Sequence, residues 1–258
     1  MNEHKKTALV TGGTLGLGQG FVQNLLEQGY EVVSIDRDLA RDLAKGSLPK
    51  NLHQIQCDLS NQKSVDALSK KLQKFAPFHL AIFNAGISAT GKFEEMPIAA
   101  YQTLLRLNAE TPMVLTSALL ENNLLAPKSN LLFVSSLSHF TGYPGAAVYA
   151  ASKDAIAIYA KSIKKSFAKK GITVSCAFPG PLKTQHAKRH SPKGSSDEKR
   201  MAPKTAASLI LQGVQKGRHQ IFTGFGMFAV SKLGKLFPNM LSFIMRKTLY
   251  DKMDKNVF

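Results

Sequence analysis

Along the chain, short continuous apolar runs alternate with longer stretches whose apolar residues recur every three or four positions. The runs have the length of strands buried on both faces. The longer stretches carry one apolar stripe each, so the pattern predicts a parallel sheet with helices on both sides. KTALVTG predicts the first strand, and residues 18–28 the helix behind it. EVVSID (31–36), HQIQCD (53–58), HLAIFNAG (79–86), NLLFVSS (130–136) and ITVSCAFPG (172–180) predict the second to sixth. SVDALSKKLQKF sets Val65, Leu68 and Leu72 on one helical face. Long helices are predicted over 99–122 and 149–169, the latter stopped by Gly171 as a left-handed cap. A helix over 205–215 and a last strand, RHQIFTG (218–224), follow.

Two segments depart from the alternation. Residues 183–203 are polar, basic and rich in Ser, Pro and Gly, and predict a loop of functional length, a substrate lid. Residues 222–250, FTGFGMFAVSKLGKLFPNMLSFIMRKTLY, are oily and basic. Lys232 and Lys235 interrupt this run, Pro238 breaks it, and the uncharged part from Leu236 to Met245 is far shorter than the roughly 18 residues of a membrane span. Two short helices around Pro238 are predicted, with Val230, Leu233 and Phe237 on one face of the first and Leu241, Ile244, Met245 and Leu249 on one face of the second. The expected organisation is one α/β domain: a dinucleotide-binding catalytic body over 1–224 and a helical C-terminal extension over 225–258. Three roles for the extension stay open: packing on the body or on a partner subunit, a wall over a cleft, or a surface anchor on anionic lipid.

Composition narrows this picture at a few points. With 258 residues, 44% hydrophobic and 20% charged, the chain can bury the core of one globular domain. Cys57 and Cys176 lie far apart in separate apolar runs, and free thiols in a reducing cytoplasm are expected. No apolar targeting segment precedes the first strand, which fits the same cytoplasmic setting. The net charge is +17, and residues 183–258 hold 15 basic and 4 acidic side chains against 19 and 13 in residues 1–182. Such a field attracts nucleic acid, anionic lipid or acidic metabolites. The chain has no Trp and no aromatic single-strand platform, so no nucleic-acid partner is expected.

The candidate chemistry sits at the ends of the predicted strands. In TGGTLGLGQGF, Gly12, Gly16 and Gly18 join the first strand to its helix, where a tight turn lets the backbone approach a pyrophosphate at the helix N-terminus. Asp36, ending the second strand, suits both adenosine ribose hydroxyls and repels a 2′-phosphate. NAD is therefore expected, with NADP as the alternative if Arg37 turns inward. Tyr149 and Lys153, one helical turn apart in YAASK, form a pair in which the ammonium would lower the phenol's pKa for proton exchange with an alcohol or carbonyl. Ser136, at the end of the fifth strand, is placed to hydrogen-bond a substrate oxygen.

With these features in order, the chain over residues 6–224 resembles the short-chain dehydrogenase/reductase family. The T-G-x-x-x-G-x-G loop falls on Thr11, Gly12, Gly16 and Gly18, the Asp after the third strand on Asp58, and the N-N-A-G motif on Phe83, Asn84, Ala85 and Gly86. The helix Asn falls on Asn108, the Ser, Tyr and Lys on Ser136, Tyr149 and Lys153, and P-G-x-x-x-T on Pro179, Gly180 and Thr184. Phe83 replaces the family's first Asn, which removes a hydrogen bond supporting the central sheet.

The resemblance implies Tyr149 as general acid/base and Lys153 as holder of the nicotinamide ribose. It implies Ser136 as orienter of the substrate oxygen and Asn108 as the seat of a relay water. Cofactor contacts are implied from Thr14 and Leu17 in the loop, from Asp58 and Leu59, from residues 84–86, and from Pro179, Gly180 and Thr184. The implied activity is interconversion of a secondary alcohol and a ketone; the resemblance leaves the substrate open, and a small, hydrophobic one is expected. The alternative is a non-catalytic dinucleotide-sensing or nucleic-acid-binding protein that keeps the fold. Pocket walls are expected from residues 87–93, from Ser138, His139, Phe140 and Tyr143, and from the loop after Thr184. His186 and His190 lack further metal ligands nearby, and no metal is expected. A homodimer or homotetramer, pairing the helices over 99–122 and 149–169, is expected by analogy.

Overall fold

In a computed structural model, residues 5–39, 48–190, 198, 200–248, 250–252 and 257 are described. The strands are β1 (Thr7–Thr11), β2 (Glu31–Asp36), β3 (Leu52–Gln56), β4 (Phe78–Phe83), β5 (Leu125–Val134), β6 (Thr173–Phe178) and β7 (Gln220–Phe222). They form one parallel sheet in the order β3-β2-β1-β4-β5-β6-β7. The helices are α1 (Gly16–Glu27), α2 (Gln62–Asp66), α3 (Leu68–Leu72), α4 (Ile98–Leu105), α5 (Thr111–Glu121), α6 (Ser138–Thr141), α7 (Ala147–Ala168), α8 (Gln185–Arg189), α9 (Pro203–Gln215), α10 (Phe225–Leu236) and α11 (Pro238–Thr248).

Side-chain alternation splits the sheet's apolar residues between two cores. Leu9, Val33, Phe133 and Phe178 pack with Leu115 of α5 and Ile156 and Ala160 of α7. Val10, Ile82 and Leu132 pack on the opposite face with Phe21 and Leu25 of α1 and Ile210 and Val214 of α9. Every residue of β1 is buried, as a central strand covered on both faces requires. The chain runs outward from β1 to β3 and then returns to β4 on β1's other side. This opens a crevice beyond the carboxyl ends of β1 and β4, the topological switch point where such sheets bind ligands.

Four elements differ from the pattern-based reading. β5 starts at Leu125, five residues early, because Pro127, Lys128 and Ser129 interrupt its apolar run, with Lys128 at a φ of 59°. The helix expected over 99–122 is broken by a π-helical turn at Arg106–Glu110, which carries Asn108. The 183–203 loop contains α8 and is tied back by a bridge between Leu182 and Met201, while residues 191–197 and 199 lie outside the described residues. Finally, α10 turns Ser231 and Gly234 to the body and leaves Leu233 and Phe237 exposed, so its inward face is not the apolar stripe of the sequence. Close backbone approach decides this: a β-carbon at Gly234 would stand 2.1 Å from the carbonyl oxygen of Phe140. In α11 Leu241 is buried and Ile244 exposed; the side chain of Leu249 is not among those described.

Candidate active site

Thr11 ends β1 beside the crevice. Its hydroxyl accepts the backbone N–H groups of Asn84 (3.0 Å) and Ala85 (3.1 Å) and donates to the carbonyl of Ile82 (3.3 Å). The Asn84 amide donates in return to the carbonyls of Thr11 (3.1 Å) and Gly12 (3.0 Å), which fixes the glycine-rich turn to the end of β4. Gly12 has a φ of 68°, in the left-handed region, and a β-carbon on Gly18 would stand 1.7 Å from Gly12's carbonyl oxygen. Only glycine permits this closeness. The turn thereby presents the start of α1 to the crevice, with no side-chain cap and no acidic residue in the first turn. Leu17 is buried in the core, and Thr184, capping α8, has its methyl 3.3 Å from where a Gly16 β-carbon would be.

Asp36 faces this turn: its Oδ2 accepts the Thr14 N–H (3.0 Å) and the Ser34 hydroxyl (3.2 Å). Burial raises its pKa, and those hydrogen bonds partly offset the rise. Arg37 turns outward and pairs with Asp38 through Nε (3.1 Å) and Nη2 (3.0 Å). Asp58 accepts the hydroxyl (2.7 Å) and N–H (2.9 Å) of Ser60, which hold its pKa down, and the carbonyl of Leu59 accepts the Thr111 hydroxyl (2.7 Å). On the far side of the crevice, the Gly180 N–H donates to Thr223 (3.3 Å) and the carbonyl of Pro179 accepts from Leu137 (3.3 Å).

The four candidate catalytic residues converge from β5, α7 and the π turn. Ser136 follows β5, its hydroxyl accepts the Ser138 N–H (3.2 Å), and it lies near enough to Tyr149, on the first turn of α7, to lower that phenol's pKa. One turn on, Lys153 is buried and its Nζ donates to the carbonyl of Val134 (2.9 Å). Burial pulls Lys153 down to about 8 and pushes the neighbouring Cys176 thiol up to about 12. Asn108 is fully engaged: Oδ1 accepts the Ile87 N–H (2.9 Å), and Nδ2 donates to the Ile87 carbonyl (2.9 Å) and the Ser152 hydroxyl (3.0 Å). Gly86 sits between them, since a β-carbon there would stand 3.0 Å from Asn108 Oδ1 and 3.2 Å from Lys153 Nζ.

The lowering of Tyr149's pKa expected from the lysine is not found. Burial raises it, the Ser136 hydroxyl lowers it, and Tyr143 raises it again, while Lys153 Nζ is 5.9 Å from the ring centroid and turned to Val134.

Three comparisons bear on what this arrangement is. The sequence matches the short chain dehydrogenase family over residues 6–194. The chain belongs to that family. It is 31% identical over 182 residues to an L-fucose dehydrogenase of Bos taurus, covering 69% of this chain and 67% of that one. A short-chain dehydrogenase from Sphingobium yanoikuyae, solved with NADPH, superposes with a TM-score of 0.71 at 19% identity, covering 84% of this chain and 87% of that one. A 4-hydroxyisoleucine dehydrogenase solved with NADH gives 0.74 at 21% identity, covering 85% and 98%. The protein is thus a short-chain dehydrogenase of the oxidoreductase class.

Against the family's motif, the Phe83 departure has a visible compensation. Its ring is buried and stacks on Phe133 at 4.8 Å, so an aromatic contact occupies the place of a polar one. Around this dehydrogenase's cleft the expected wall residues separate. Tyr143 is half-buried within electrostatic reach of Tyr149, and burial raises its pKa. Ser138 is buried, whereas His139 turns to Asp154 of α7 and stacks on Phe178, committing its ring to packing. Phe140 joins the aromatic core with Phe178 and Phe222. The rings of His186 and His190 lie 4.6 Å apart, and His190 Nδ1 meets the Thr90 hydroxyl at 3.0 Å. Desolvation, then Lys153 and Arg189, lower the pKa of His186.

Several supporting residues escaped the sequence reading. Ser135 donates to the carbonyl of Lys153 (2.7 Å) and Ser152 to that of Tyr149 (2.7 Å), so two hydroxyls brace the backbone of the Tyr–Lys turn. Their adjacency to Ser136 and Lys153 is the only signal the sequence holds. Met227 of α10 reaches Gly180, where a β-carbon would stand 2.2 Å from its sulfur, and Val257 pairs with Thr90 through two backbone bonds (2.9 and 2.8 Å). Contacts across such sequence separations leave no local trace.

Proposed function

We propose that the protein is an NAD(P)-dependent oxidoreductase that interconverts a secondary alcohol and a ketone on a hydrophobic substrate. The observation that carries this reading is Tyr149 on the first turn of α7, near enough to Ser136 for it to lower the phenol's pKa, with Lys153 one turn on and buried against the end of β5. The chain's residues fit a dinucleotide: a turn that a β-carbon would fill, an uncapped helix start and a partly buried carboxylate in line. When bound, the nicotinamide supplies the hydride acceptor or donor.

In the reducing direction Tyr149 gives its phenolic proton to the substrate oxygen while Ser136 hydrogen-bonds that oxygen. In the oxidising direction the phenolate takes the proton back. The raised pKa of Tyr149 keeps the acid form present at neutral pH. The buried Lys153 ammonium favours negative charge nearby and is oriented by Val134. Asn108 holds the segment after β4 against α7, and in this reading its π turn keeps a water path to Lys153 open.

Asp36 supports NAD over NADP, and Arg37, paired outward with Asp38, does not oppose it. Met227 of α10, whose side chain reaches Gly180 beyond the end of β6, supports an apolar substrate. A homodimer or homotetramer is the proposed assembly, supported by exposed Ile98, Leu105 and Ile158 on α4 and α7. Among the described residues no helix is long and apolar enough to cross a membrane.

The test is Tyr149→Phe, assayed with NADH and NADPH on a panel of apolar ketones and alcohols. Turnover is expected to fall by about 10²-fold or more, the scale of a lost general acid, with dinucleotide binding by fluorescence unchanged. Turnover within a few-fold of wild type would refute the assignment.

A further inference from the structure

The C-terminal helices α10 and α11 lie on the body beside the cleft, held by close contacts. Gly234 meets the Phe140 carbonyl, Met227 meets Gly180, and Ser231 and Leu241 are buried. The face opposite these residues should be charged if it met only water. Instead it carries Phe225 and Leu236 on α10, 83% and 71% exposed, and Phe243 on α11, 62% exposed. Leu233, Phe237, Met240 and Ile244 are exposed around them. Because the inward contacts fix the rotation of both helices, these side chains cannot turn in to bury themselves.

The charge on this surface has one sign. Residues 225–248 contain Lys232, Lys235, Arg246 and Lys247 and no Asp or Glu. Asp251, just beyond, lies 3.8 Å from Arg246 and from Lys247 and cancels one of these four charges, which leaves the surface net positive. The ammonium of Lys232 lies over the Phe228 ring, 5.3 Å to the centroid, and that of Lys235 over the Phe140 ring, 5.1 Å to the centroid, so both cations sit against aromatic rings at the edge of the apolar strip. An outward apolar strip on short helices, flanked by cations, has the chemistry of a helix pair lying in the headgroup plane of a bilayer.

We infer that the outward face of α10–α11 docks on an anionic lipid membrane. Charge complementarity selects this occupant. A second copy of the chain would bring four more cations against these four, whereas anionic headgroups meet them and the acyl boundary takes up Phe225, Leu236 and Phe243. Docking in this pose sets the crevice rim at Gly180 beside the membrane, through Met227 on the same helix.

The experiment is co-sedimentation of the full chain with vesicles of phosphatidylcholine alone and of phosphatidylcholine with about 30% phosphatidylglycerol. Binding is expected to the anionic vesicles, at least about tenfold weaker to the neutral ones, and weakened by 0.5 M NaCl. Phe225→Ser with Leu236→Ser and Phe243→Ser should lose about tenfold or more while melting as wild type, because all three positions are exposed. Lys232→Gln with Lys235→Gln, Arg246→Gln and Lys247→Gln should lose about fivefold per charge. No binding to either vesicle overturns the proposal, as does a triple Ser variant that binds undiminished, since the chain's remaining basic surface would then be responsible. An oligomer that the triple Ser variant dissociates in sedimentation velocity also overturns it, by assigning the face to self-association. None of these readouts involves turnover, so their failure leaves the proposed reaction standing.

Discussion

Two glycines eight residues apart in α10 give opposite expectations for one substitution. A β-carbon at Gly234 would stand 2.1 Å from the carbonyl oxygen of Phe140 and 2.9 Å from its carbon, whereas ordinary contact begins at 3.4 Å. Both obstacles are backbone atoms, so no rotamer relieves them, and α10 must move away from α6 by an ångström or more. Overpacking of this kind costs about 3 kcal/mol at the upper end of its usual range. Alanine returns about 1 kcal/mol of helix propensity, which leaves Gly234→Ala about 2 kcal/mol less stable. At about 2–4 °C per kcal/mol for a chain of this size, the melting point should fall by about 4–8 °C. At Gly226 nothing lies within 4 Å of the same added carbon, so Gly226→Ala should be neutral or up to about 1 kcal/mol more stable. Thermal denaturation by circular dichroism, run on both variants, makes the comparison. If Gly234→Ala melts at or above wild type, or if both variants shift alike, α10 is not seated on α6 through that glycine.

Two further outcomes follow from the site. The Lys153 pKa, depressed to about 8 against 10.5, means that this lysine binds more protons in the unfolded chain between those values; its contribution to stability therefore rises with pH across that window, by at most about 3 kcal/mol. Above pH 9 that rise is opposed by the Cys176 thiol, which is pushed from 9.0 to about 12. Lys153→Met should flatten the rise in urea denaturation run from pH 7.5 to 10.5, and an unchanged slope would show that the lysine is not desolvated. For the cofactor, Asp36→Ser removes the carboxylate that faces Thr14, and the NADH-to-NADPH affinity ratio should move at least about tenfold toward NADPH; a fixed ratio would remove Asp36 from cofactor choice.

Much of this protein was legible as a pattern. β1, β2 and β4 read as continuous apolar runs because a central parallel strand is buried on both faces, and α7 announced itself by its length and by Gly171. The residues of the candidate site were legible for a related reason. Gly12, Gly18, Asn84, Ser136, Tyr149 and Lys153 sit at strand ends and helix starts, where local geometry restricts the residue type. The start of β5 was not legible, because Pro127, Lys128 and Ser129 hide it, and neither was the π turn under Asn108, which has no periodicity of its own.

The sequence alone therefore determined the order of elements, the sheet class and the identities at the crevice, since each depends on interactions within a few residues or on burial that every strand experiences alike. Only the tertiary structure decided the electrostatics and the outer wall. Tyr149's pKa is raised because the phenol itself is buried, and Lys153, one turn away in sequence, does not offset this, since its ammonium is turned to the Val134 carbonyl. Likewise α10 shows Phe225 and Leu236 to solvent because Gly234 can approach Phe140 more closely than any apolar side chain could. Desolvation and close backbone approach depend on what the whole chain brings together, and no local pattern carries them.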